Sequence, residues 1–129
     1  MIEDLRELLR SGDGADFVVE VGERTFDLHI FVLRLSSGYF RHLFESSDAE
    51  TQGRCMVDRD PGIFELLLPF LYCRRLDDIS SLSAGELYDL FVLADFMQVR
   101  DFDKYMDGKH RSLYICFLGR EAGSKYCSR

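Results

Sequence analysis

The 129 residues include no Trp, no Asn and only two Pro. Lack of Asn removes every N-glycosylation acceptor. No apolar run is long enough to span a bilayer, and no signal-peptide pattern opens the chain. The four cysteines, Cys55, Cys73, Cys116 and Cys127, form no C-x-x-C spacing and sit at no finger-like distance from a His pair, which gives a zinc site little support. Basic residues are in deficit: 16 Lys and Arg stand against 23 Asp and Glu, for a net charge of −7 and a pI near 4.9. Such a balance argues against nucleic acid and against anionic membrane surfaces as partners. These absences describe a reduced protein of the cytoplasm or nucleus, with no cofactor.

What the chain does have is phenylalanine, 11 residues of it, in a composition that is 47% hydrophobic. Phe brings apolar area with no polar group to satisfy, so a plainly packed core is expected. The length fits one domain.

Residues 26–44 organise the rest. Phe26, His29, Leu33, Ser37, Phe40 and Phe44 recur at steps of three or four, the spacing that shares one helical face. Ser36-Ser37-Gly38 interrupts the run, and Ser37 is placed to accept from the orphan amides of a new first turn. Two short helices at an angle are expected, held by packing because each is marginal alone.

Upstream, Ile2, Leu5, Leu8 and Leu9 form the apolar face of a short helix that Ser11-Gly12-Asp13-Gly14 stops. That face either caps its own domain or packs on another subunit. Residues 16–21 read as a strand, Gly22-Glu23-Arg24 as a turn and residues 25–28 as the returning strand. Residues 45–53 are a polar loop, and residues 54–58 a third strand. Asp60-Pro61 opens a helix striped with Phe64, Leu67, Leu68 and Leu71. Pro69 is expected to kink or end that helix near Leu68, because an interior proline costs roughly 3 kcal/mol. Residues 76–82 are a loop. Ser83-Ala84-Gly85-Glu86 then fits a capping box before a stripe of Leu87, Leu90, Phe91, Ala94 and Met97. A further helix carries Phe102, Tyr105 and Met106, and residues 113–129 form a partly frayed extension.

Chemistry finds little footing. His29 and His42 have no local nucleophile and orienting group, and His29 reads as a buried ring bonded to a backbone carbonyl. Asp58, Asp60, Asp77 and Asp78 lack the glycine spacing of a calcium loop. Tyr72, Arg74, Arg75 and Leu76 cluster at a helix end. Their arginines either complement the helix dipole or contact a partner.

Three segments together resemble the BTB/POZ domain. They are Phe26-x-x-His29-x-x-x-Leu33-x-x-x-Ser37-x-x-Phe40-x-x-x-Phe44 after Asp16 on a strand; Asp60-Pro61-x-x-Phe64-x-x-Leu67-Leu68-x-Phe70-x-Tyr72-x-x-x-Leu76; and Leu90-x-x-Leu93-Ala94-Asp95-x-x-Gln98-Val99. The resemblance implies an α+β fold of stacked helical hairpins with a small three-stranded sheet on one side. It places the N-terminal helix at residues 1–14 and the domain at 15–112. It also implies self-association through Ile2, Leu5, Leu8 and Leu9, because the family packs this helix on the partner subunit.

Members of the family act as protein-interaction modules. A homodimer is therefore expected, serving as an adaptor for cullin-3 ubiquitin ligases or pairing with another BTB protein. The alternatives are a corepressor-binding or architectural dimer, and a tetramerisation domain of the potassium-channel type. The 129 residues include no kelch, MATH or zinc-finger region of the kind that selects a substrate or a DNA site in the family. Dimeric transcription-factor members pair the strand Asp with a basic residue after the His. Ile30 stands there in this chain, so Asp16 is expected to be exposed or capping, or the charged pocket absent.

Overall fold

The computed structural model describes residues 2–76, 79, 81–112 and 115, with the side chains of 2–4 excepted. The β-branched run after Ala15 forms β1 (Phe17–Val21), and Gly22, at φ 58°, turns it into β2 (Arg24–Leu28). These two pair antiparallel, with Val19 opposite Phe26. The third strand, β3 (Arg54–Val57), joins the far side of β1 in parallel, so the sheet order is β2-β1-β3. Phe17, Val19 and Val21 alternate onto one face and are buried with Phe26, Leu28 and Val57. Phe26 therefore belongs to a strand. The three-and-four spacing that starts at Phe26 runs across a strand-to-helix junction and becomes helical only beyond His29.

The helices begin with α1 (Ile2–Ser11). After the hairpin come α2 (Ile30–Ser36) and α3 (Gly38–Ser46), separated by Ser37 in an extended conformation. The Ser37 hydroxyl accepts from the Phe40 amide and donates to the Met97 carbonyl, ending one helix and opening the next. Residues 45–53 are more ordered than a loop: α3 runs to Ser46, and a single turn, α4 (Ala49–Gln52), buries Ala49 before Gly53 closes it at φ 77°.

The core helix is α5 (Pro61–Cys73), where Asp60 accepts from the amides of Gly62 and Ile63. It continues through Pro69, which corrects the expectation of an end near Leu68. Proline deprives the Glu65 carbonyl of its donor, but Glu65 is exposed, so water can take that role. The Leu67, Leu68, Phe70 and Leu71 side chains on either side are buried and hold the helix together by packing. Then α6 (Ala84–Phe96) starts on a complete Ser83–Glu86 capping box, and α7 (Phe102–Lys109) follows. The α2–α3 and α5–α6 pairs stack as hairpins, the sheet lies along one side, and Phe17, Phe40, Phe64 and Phe70 fill the interior. Each such ring contributes on the order of 1.5–3 kcal/mol by burial.

Candidate interaction surface

The polar residues of the signature tie elements to one another. An Asp16 carboxylate oxygen accepts from the Ile30 amide at 2.8 Å, so the strand Asp is exposed and caps α2. His29 is 4% exposed. Its Nε2 lies 2.8 Å from the Asp13 carbonyl, which can only accept, so in the neutral ring Nε2 carries the proton. Nδ1 then accepts from the Tyr72 hydroxyl at 2.7 Å, and the same oxygen accepts from the His29 amide at 3.0 Å. This ring fastens the α1–β1 connection and the start of α2 to the end of α5. Burial pushes the Tyr72 hydroxyl far above its ordinary range; the His29 amide opposes that shift, and the Asp16 charge adds to it. Leu33, Phe40 and Phe44 are buried, and Phe44 meets Phe17 edge-on at 5.0 Å.

The cluster at the end of α5 is divided between core and surface. Tyr72 and Leu76 are buried, which corrects their assignment to a partner face. Arg74 sits at φ 61°, donates to the Arg100 carbonyl at 2.8 Å and lies over the Phe70 ring. Arg75 is exposed.

An apolar surface does exist one helix away. α1 lies along α5 of its own chain, with Leu5 and Leu9 against the core. The face expected to close on a second subunit thus closes partly on its own: Leu5, Leu8 and Leu9 are each half-buried. The Ile2 side chain falls outside the described residues. On α2, one turn apart, Phe31 is 54% and Leu35 56% exposed. Together with Leu5, Leu71 and Arg74 they line a cleft of about 140 Å³. Sequence reasoning passed over this pair because it followed the stripe of His29 and Leu33. The available signal was that residues 28–35 are apolar nearly all round, so α2 has more apolar surface than one core can cover.

No group of three or more His, Cys, Asp or Glu is arranged to hold a metal among the described residues. Neither Cys55 nor Cys73 is in a disulfide. Burial, with the Glu20 charge adding to it, pushes Cys55 up to about 11. The described polar groups of the signature thus fasten the fold together, while the cleft between α1 and α2 is lined mainly by apolar side chains.

A mixed three-stranded sheet against helical hairpins, with apolar helix surface left uncovered, defines the class: an α+β interaction module. The BTB/POZ domain model matches residues 5–109, and the chain belongs to that family. It is 30% identical over 101 residues to Kelch-like protein 41b of Danio rerio, an overlap of 75% of this chain and 16% of that protein. It is 32% identical over 87 residues to Kelch repeat and BTB domain-containing protein 4 of Mus musculus, an overlap of 66% of this chain and 16% of that protein. The chain thus spans about one sixth of the length of these relatives. The BTB domain of zebrafish PATZ1 shares the fold, with a TM-score of 0.64 at 23% identity over 78% of this chain and 80% of that one.

Proposed function

We propose that the chain self-associates through the α1–α2 face and serves as a BTB-type adaptor that recruits cullin-3. The observation that carries the self-association is the exposed pair Phe31 and Leu35 beside half-buried Leu5. Two large apolar side chains one turn apart are the kind of anchor around which an interface forms. A symmetric dimer lays this patch on its own copy, so α1 serves both its own α5 and the neighbouring subunit. Family membership and the Kelch-like relatives support the adaptor reading, and a cytoplasmic or nuclear location suits cysteines, Cys55 and Cys73, that are in no disulfide.

Light scattering on the purified chain tests the first step. A dimer is expected at tens of micromolar, where an interface of ordinary size still holds. The double variant Phe31→Lys/Leu35→Lys is expected to run as a folded monomer. A wild-type monomer at that concentration refutes the interface, and a tetramer points to the potassium-channel type of assembly. Co-purification with cullin-3, alongside an adaptor known to bind it, tests the second step. A fluorescent fusion excluded from both cytoplasm and nucleus overturns the location.

A further inference from the structure

The sheet has an open edge, and the register shows which groups it presents. Val18 donates its amide to Gly53 on the β3 side. Backbone groups alternate sides along a strand, so Phe17, Val19 and Val21 face β2, and their partners Leu28, Phe26 and Arg24 face back. Thr25 and Asp27 therefore point their N–H and C=O groups away from the sheet. Nothing hydrogen-bonds to those groups among the described residues.

This edge is recessed. All five β2 residues line a cleft of about 590 Å³ whose other walls are the last turns of α1 and the middle of α5. Its apolar lining includes Leu9, Leu68 and Pro69. Pro69 also leaves the Glu65 carbonyl, on the same wall, without its helical donor. Arg6, Arg10 and Arg24 stand around the cleft against Asp27 and Glu65, which leaves it an excess of positive charge in a chain whose net charge is −7. Arg10 pairs with Glu7 and Arg24 with Glu65, but all four side chains are well exposed, and exposed pairs exchange partners at little cost.

We propose that this cleft takes an extended segment of a partner protein, with acidic residues alternating with aliphatic ones, as a fourth strand on β2. Unpaired edge groups supply main-chain affinity, and the arginines select carboxylates. A second copy is a poor occupant, because its own β2 edge lies equally deep and two recessed edges cannot meet. The site is separate from the Phe31–Leu35 patch, so either can fail without the other.

The test uses a capped Glu-Val-Glu-Val-Glu-Val-Glu peptide and its Lys-for-Glu counterpart, with amide exchange read by NMR on the full chain. The acidic peptide is expected to slow exchange at Thr25 and Asp27, and the basic one to leave it unchanged. Thr25→Pro removes an outward N–H at an edge position that tolerates proline, and Arg10→Glu reverses a charge at an exposed site; each is expected to weaken binding about tenfold. Unchanged exchange at about 1 mM acidic peptide overturns the proposal, that being the limit of a weak but specific contact. So does equal binding of the basic peptide, or undiminished binding by Arg10→Glu or by a folded Thr25→Pro. Protection that grows with protein concentration alone makes a second copy the occupant and also overturns it.

Discussion

The Tyr72 hydroxyl joins two buried groups, the His29 amide and the His29 Nδ1. Replacing Tyr72 with Phe keeps the ring and leaves the His29 amide and Nδ1 buried and unpaired. An unsatisfied buried group costs about 1–3 kcal/mol, so Tyr72→Phe is expected to lower the urea midpoint by that order with an unchanged slope. Cys55 makes a second test at this scale. Burial pushes its thiol from the ordinary 9.0 up to about 11, so at neutral pH its thiolate fraction, and hence its labelling by an alkylating reagent, is expected to be about 100-fold below that of an unburied cysteine. The shift also favours the protonated thiol in the folded state. Its contribution to stability is therefore full below pH 9 and is lost as pH rises towards 11, which denaturant melts across that window detect. Rapid labelling at pH 7 contradicts the burial. At this scale the sequence showed that His29 is a core ring on a backbone carbonyl. It did not show that Tyr72 is the second partner, since 43 residues separate the two and no local spacing connects them.

At the scale of elements, caps and turns were readable because each is a local contract among three or four residues. Asp60, Ser83 with Glu86, and Ser37 all open helices through bonds that reach no further than N3. The sequence misled where distant packing overrode local preference. Pro69 argues for a break, yet α5 is covered over most of its length and the helix persists. Phe26 keeps helical spacing while lying in a strand, because the hairpin register with β1 fixes it. The proline still leaves a helical bond unmade. Pro69→Ala restores the donor to Glu65, worth about 3 kcal/mol in an open helix, but loses ring packing and the stiffening of the unfolded chain. A net gain of about 1 kcal/mol is expected, seen as a higher melting temperature. A clear loss would mean that the proline is the better fit to its neighbours.

Taken whole, the molecule completes its interior and leaves two large apolar side chains exposed side by side on one helix. The α2 helix buries Val32 and Leu33 inward and turns Phe31 and Leu35 outward next to an α1 that is itself only half covered. The sequence showed the apolar excess of the first helix but not its division between two neighbours, because periodicity identifies a face and not what covers it. If a second copy covers the patch, folding and association are linked, and mass action fixes the consequence: stability rises with protein concentration by RT ln of the occupancy term. The melting temperature of the wild-type chain is expected to climb by a few degrees between low and high micromolar protein. For Phe31→Lys/Leu35→Lys it is expected to stay flat. A single substitution at Met56, 76% exposed on the opposite sheet edge, is the matching control and is expected to keep the wild-type slope. A flat wild-type curve would mean that the two side chains face water in the working molecule, and the self-association reading would fall with it.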